Sequence, residues 1–440
     1  MSSTITGPPR ERPTTMAPPQ TPGLIPDSPC IDCLDHPQAA GRRRPAVPRR
    51  AGFWLLVFVF ATAMLGTTLP TPLYVIYQAR WHFSAAIVTV IFAVYAAGVL
   101  AALLLAGRSS DQAGRKPVLA AALGVSALST IVFILAPNVG VLLAGRILSG
   151  LSAGLMTGTA TAALTELIPA SASRRASLAA TAANMGGLGL GPLIAGLFAQ
   201  YAPHPTTLVF EVYLAVLAIA GLALLFIPET VSPRHRPVLR FAGLGIPERG
   251  RGEFIAAAAA AFSAFSILGL FAALAPTFLG VMHEHNHAVQ GGAVFLLFAV
   301  GTITQLLASR FPSRPVVLAG LGLLLAALAL IVAALAQAGV ALFLAGTVVA
   351  GVAVGAVFLG SLATANRLAP PGRRGQTISA YFVACYCGLI IPVVGVGVAA
   401  GLIGDFPAVA AFSVLLAALC LLALASFART LIPGRAVAGR

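Results

Sequence analysis

The chain has 440 residues, of which 58% are hydrophobic and 9% charged, and 27 Lys and Arg against 12 Asp and Glu leave a net charge of +15 at pH 7. A soluble domain carries roughly a quarter of its residues as charge, so this composition, with a mean hydropathy of +0.94, excludes one and requires an integral membrane protein. Five cysteines make no disulfide framework, and the absence of a G-x-x-x-x-G-K-[ST] loop excludes ATP-driven work by this chain alone.

Residues 1–52 are Pro-rich, polar and basic, with neither an apolar core nor a small-residue cleavage site. They are expected to form a disordered tail rather than a signal peptide. Cys30, Cys33 and His36 fall in it as C-x-x-C-x-x-H. Three ligands leave a metal site one short, so incidental thiols are expected, and no metal or cofactor. Twelve apolar runs follow at roughly 53–76, 84–106, 117–136, 139–166, 177–200, 208–227, 254–280, 291–308, 316–337, 340–366, 376–400 and 408–428. Each suits the crossing of a hydrocarbon core about 30 Å thick. The fold expected is all-α, with twelve transmembrane helices.

The basic residues say which way the helices run. Of 27 Lys and Arg, 25 lie before the first run, in the even-numbered loops or after the last run. The positive-inside rule then puts both termini in the cytoplasm. The surplus of charge is topological, so no nucleic acid is expected as a partner; the lipid bilayer and a small solute are.

The pattern also repeats. Runs one to six cover 53–227 and runs seven to twelve 254–428, joined by a basic, Pro-rich linker at 228–253, with a tail at 429–440. An offset of 201 carries Gly145, Gly150, Gly154 and Pro169 onto Gly346, Gly351, Gly355 and Pro370. Offsets of 200 and 203 carry Pro192 onto Pro392 and Leu65-Gly66 onto Leu268-Gly269. Two pseudo-symmetric six-helix bundles related by an axis along the membrane normal are expected, with tilting of one against the other.

Between the second and third runs stands G-R-S-S-D-Q-A-G-R-K-P-V-L, Gly107 to Leu119. It resembles the loop signature of the major facilitator superfamily of transporters, G-x-x-x-D-x-x-G-R-K-x-x-L. The resemblance implies that Gly107, Asp111, Gly114, Arg115 and Lys116 form a gate, with Asp111 docking at the amino end of the eleventh span near Gly375–Thr377. Arg115 and Lys116 are either positive-inside anchors or, for Arg115, the partner of Glu166. That acid is poorly placed at its own helix's negative end. At offset 201 its equivalent is Arg367, which suggests an Asp111–Arg115–Glu166 cluster facing Arg367, Arg373 or Arg374.

Arg146 lies two turns inside the fourth run, in L-L-A-G-R-I-L-S-G-L-S-A-G. An intramembrane arginine needs partners or a polar interior. The stretch resembles the family's fourth-span motif, which implies either a structural hydrogen-bonding role or proton coupling. In the fifth run, G-L-G-L-G-P-L-I-A-G resembles the exporters' G-x-x-x-G-P-x-x-G-G, with Ala195 in place of a glycine. Gly187, Gly191, Pro192 and Gly196 would build a kinked, closely packed hinge.

Neutral hydrogen-bonding groups among aromatics are the candidates for the walls of a substrate cavity: Thr67, Thr68, Phe92, Tyr95, Asn184, Phe271, Gln305, Phe358, Tyr381 and Tyr386. No catalytic constellation is present, so the chain is expected not to be an enzyme. The resemblance implies a monomeric secondary transporter of a bacterial cell membrane, exporting small, partly apolar molecules against protons. The alternative is uptake or facilitated diffusion of a sugar or small organic solute.

Overall fold

The computed structural model describes residues 47–106, 109–231 and 243–429. The first apolar run is not one helix. α1 (Arg49–Thr68) stops before Pro70 and Pro72, and a separate α2 (Tyr74–Trp81) follows. Two prolines within three residues remove two backbone donors, which breaks the expected 53–76 run. The chain then continues through α3 (Ala85–Ala106), α4 (Ser109–Ala113), α5 (Arg115–Ile134), α6 (Val139–Leu167), α7 (Ser173–Tyr201) and α8 (Pro205–Phe226). The second set comprises α9 (Arg251–Val281), α10 (His287–Ala308), α11 (Ser313–Gln337), α12 (Val340–Leu368), α13 (Arg374–Ile403) and α14 (Asp405–Arg429). Twelve of these are long and apolar enough to cross a membrane, and the described residues contain no strand.

Local chemistry sets several helix starts. Asn138 accepts from the amide of Val141 at 3.1 Å to begin α6, and Asn286 accepts from Ala288 and Val289 at 2.9 and 3.3 Å to begin α10. Both satisfy amides the helix leaves free. α8 opens on Pro205, whose missing N–H costs nothing there.

The two sets pack alike. α6 lies against α1, α3 and α5, α1 against α7, and α8 against α1 and α5. Correspondingly, α12 lies against α9, α10 and α11, α9 against α13, and α14 against α9 and α11. The glycine correspondence extends to single atoms. A Cβ on Gly150 would meet the Tyr95 carbonyl at 2.2 Å, and one on Gly351 the Leu297 carbonyl at 2.9 Å. Gly154 approaches the carbonyl of Val99 and Gly355 that of Gly301 in the same manner. These seams draw helices together without large side chains. Bulky apolar groups such as Leu135, Leu402 and Leu415 point outward instead, toward the acyl chains.

The halves meet mainly where α7 packs on α10 and α3 on α13. One end of the bundle, the basic end, carries the loop arginines other than Arg80. The opposite, far end carries the α2, α7–α8 and α9–α10 turns.

Candidate functional site

At the basic end, α5 begins at Arg115 because Gly114 takes φ +95, a conformation costly for any residue with a Cβ. A Cβ there would also stand 2.9 Å from Oε2 of Glu229. That carboxylate accepts from the amides of Arg115 at 2.9 Å and Lys116 at 3.0 Å, filling the anion site of a helix start. Lys116 reaches the other way, donating through Nζ to the carbonyls of Leu225 at 2.7 Å and Ile227 at 3.0 Å. The motif's basic pair therefore joins the start of α5 to the end of α8.

The Arg115 guanidinium does bind Glu166, through Nη2 to Oε1 at 2.7 Å and Nε to Oε2 at 3.2 Å. Its Nη1 also meets Asp111 Oδ1 and Ser110 Oγ, both at 2.6 Å. Thr230 donates its hydroxyl to Glu166. The Asp111–Arg115–Glu166 cluster thus forms, but not as one face of a bridge between halves. Arg367 pairs with Glu253 of its own half, and Arg374 donates to Asn366 Oδ1 at 2.9 and 3.3 Å. The partner of the Asp111 carboxylate among the described residues is Arg115, four residues on in its own half, and it makes no ion pair or hydrogen bond to Gly375–Thr377. The start of α13 instead receives the linker, where the Gly245 amide donates to the Gln376 carbonyl at 3.2 Å. Gly107 lies outside the described residues, as do Cys30, Cys33 and His36.

Arg146 is 1% exposed. Its Nε donates to the Tyr74 hydroxyl and its Nη1 to the carbonyl of Thr67. The guanidinium carbon lies 5.2, 5.4 and 6.0 Å from the ring centres of Tyr74, Tyr95 and Phe133, a cage suited to a desolvated cation. Among the described residues no carboxylate pairs with it, and Nη2 has no partner. This is an interior hydrogen-bonding residue with spare donor capacity, rather than a snorkelling one.

The fifth-span glycines divide their work. Gly187 and Gly191 face α1, where a Cβ would stand 2.5 Å from the Ala61 carbonyl or 2.4 Å from that of Leu65. Pro192 and Gly196 face the other half: a Cβ on Gly291 would meet the Pro192 carbonyl at 2.1 Å, and one on Gly196 the His287 carbonyl at 2.5 Å. Gln200 Oε1 accepts from the His287 amide at 2.9 Å beside them. Thr89 against Gly397 closes the α3–α13 seam at the same far end.

Of the expected wall residues, only Asn184, Phe358 and Tyr386 are partly exposed. Thr67, Thr68, Phe92, Tyr95, Phe271, Gln305 and Tyr381 are buried. Thr68 donates to the Leu188 carbonyl at 2.7 Å, binding α1 to α7. The Tyr381 hydroxyl lies 2.8 Å from Ser361 Oγ, and Phe271 packs on Phe343 at 5.3 Å. Phe358 and Tyr386 gather around Phe265 at 5.5 and 6.1 Å. Glu229, Glu253 and Tyr74 were not singled out by sequence. For Glu229 a signal existed: an acid just beyond a span, opposite a basic loop.

Two matched six-helix sets that meet through close glycine contacts at one end, each with ion pairs of its own at the other and the first with a buried arginine inside it, are the build of a membrane transporter. The chain belongs to the Major Facilitator Superfamily, whose sequence model matches residues 56–392. The family is one of transporters, not enzymes. A triacylglyceride transporter of Mycolicibacterium hassiacum is 34% identical over 160 residues, 34% of this chain and 27% of that protein. The multidrug resistance protein MdtL of Escherichia coli is 43% identical over 63 residues, 14% of this chain and 16% of that protein. The chain thus matches well under a third of either relative's length. Among solved structures, the nucleoside transporter NupG aligns with a TM-score of 0.67 at 13% identity, covering 87% of this chain and 100% of that one. A bacterial homologue of the human lysosomal transporter Spinster, inward-facing and occupied, aligns at 0.67 and 16% identity, covering 87% and 97%. These likenesses concern the fold.

Proposed function

We propose that the protein is a secondary active transporter that exports small, partly apolar molecules in exchange for protons by alternating access. The observation that carries this reading is the far-end seam, where Pro192 and Gly196 of one half meet Gly291 of the other backbone to backbone. Such a contact can seal one entrance tightly, yet leaves few side chains to disengage when the halves tilt, Gln200 on the His287 amide being one. The rocking units are residues 53–227 and 254–428. The basic end is read as cytoplasmic, with both termini there, in a bacterial cell membrane and in a monomer. Arg146 is the residue read as serving proton coupling, and Asn184, Phe358 and Tyr386 as the most accessible of the solute-facing groups. The short match to a multidrug resistance protein and the match to a triacylglyceride transporter support apolar cargo.

The test is a pH-gradient assay in proteoliposomes against a compound panel. Export is expected to follow an imposed proton gradient, and addition of cargo to dissipate that gradient. Solute flux that ignores the gradient, or accumulation of sugars in preference to apolar compounds, would replace this reading with facilitated diffusion or uptake.

A further inference from the structure

At the basic end two adjoining cavities, about 1120 and 630 Å³, open where α1, the end of α6 and α7 meet α10. They share Ala172, Arg175, Leu178 and Leu306 and so form one groove. Its inner wall is apolar, with Phe53, Val57, Ala179, Ala182 and Leu306. Trp54 stands at its side, 65% exposed, as aromatics do at the membrane interface. The charged residues of the rim are all cationic: Arg49, Arg50 and Arg175 on the larger part, Arg174 and Arg310 on the smaller, and among the described residues no carboxylate lines either.

These five arginines line one groove, and none of them is tied down as Arg115 and Arg367 are by carboxylates or as Arg314 is, donating to the Phe427 carbonyl at 2.6 Å. Among the described residues none of the five forms an ion pair, and Arg174 has only a 3.4 Å contact to Ser309 Oγ. A cationic rim above an apolar slot, at the depth of an interfacial tryptophan, is complementary to a lipid with a negative headgroup.

We propose that this groove binds one anionic phospholipid from the adjoining leaflet. Its phosphate would lie against Arg49, Arg50 and Arg175, and an acyl chain along Val57, Ala182 and Leu306. Because α10 belongs to the second half and the other walls to the first, the lipid bridges the halves at the basic end. Its occupancy therefore stabilises the arrangement described here.

The test uses the purified full-length chain in neutral detergent, titrated with phosphatidylglycerol or phosphatidylcholine and followed by native mass spectrometry and thermal unfolding. Phosphatidylglycerol is expected to bind at least about tenfold tighter and alone to raise the unfolding midpoint. The triple variant Arg49→Gln, Arg50→Gln, Arg175→Gln changes only surface side chains, and should bring phosphatidylglycerol down to the phosphatidylcholine level. Ala182→Phe, which fills the slot, should weaken phosphatidylglycerol without touching the rim. Equal binding of the two lipids, or undiminished preference in the triple variant, overturns the proposal. So does glycerol phosphate binding as tightly as the whole lipid, since the slot would then contribute nothing.

Discussion

Arg115 holds Glu166 with two parallel N–H···O bonds of 2.7 and 3.2 Å, tying the first turn of α5 to the last turn of α6. The fork geometry of a guanidinium permits this and an ammonium does not. Arg115→Lys should therefore lose most of the interaction while keeping the charge. The Arg115 side chain is 10% exposed and that of Glu166 31%, so solvent screening limits the coupling to about 1–2 kcal/mol. A double-mutant cycle with Arg115→Gln and Glu166→Gln, followed by thermal unfolding, measures it. Additive effects would mean that the pair contributes nothing beyond its separate residues.

Glu229 should matter as much as any residue of the Gly107–Leu119 turn, although it lies outside it. Its carboxylate accepts from both leading amides of α5, so Glu229→Ala leaves them bare at the positive end of the helix. A loss of about 1 kcal/mol is expected, and Glu229→Gln should recover part of it through the remaining acceptor. Gly114→Ala combines a strained φ of +95 with a contact at 2.9 Å to the same carboxylate. It should cost more than Glu229→Ala, and calorimetry of the three variants checks the order.

How far the sequence revealed this depends on the physics of each feature. Twelve crossings and two matched halves were legible, because apolar length and glycine spacing are written locally. The Arg115–Glu166 pair was legible because an acid at a helix carboxyl end calls for a nearby cation. The break between α1 and α2 could have been read from Pro70 and Pro72, but continuous hydropathy hid it. The place of Asp111 in the Arg115 cluster was legible too, whereas the pairing of Arg367 with Glu253 was not. Arg367 has a suitable opposite charge in its own half, and the sequence does not rank a near partner against a far one. Thr68 and Tyr381 looked like cavity walls because they can hydrogen-bond, yet that capacity serves neighbouring helices.

Arg146 should tolerate no substitution, the conservative one included. Lysine is a compact, strongly hydrated charge that cannot reach the Tyr74 hydroxyl and the Thr67 carbonyl as a planar fork does. Arg146→Lys is expected to lower transport at least about tenfold while the protein still reaches the membrane. Tyr74→Phe removes one acceptor but leaves the ring, and should give a smaller loss. Cargo-driven proton flux in proteoliposomes separates the two. Wild-type flux in Arg146→Lys would show that the charge alone suffices.

Gly291→Val places a side chain against the Pro192 carbonyl, where a Cβ would already lie at 2.1 Å. The obstacle is backbone, so no rotamer change relieves it, and the far-end seam must part. Spin labels at positions 203 and 285 should report a longer and broader distance distribution than in the unsubstituted protein. An unchanged distance would show that the seam can be displaced elsewhere along α7 and α10.

Asp111→Asn tests whether the turn serves the described arrangement or another one. The Asp111 side chain is 58% exposed, and its ion pair with Arg115 spans four residues at a helix start. Such pairs contribute a few tenths of a kcal/mol, so the unfolding midpoint should hardly move. If the carboxylate also docks at α13 when the halves tilt the other way, transport should fall severalfold without that change in stability. The two measurements on one variant therefore separate a stabilising role from a gating one, and unaltered transport would remove Asp111 from the gate.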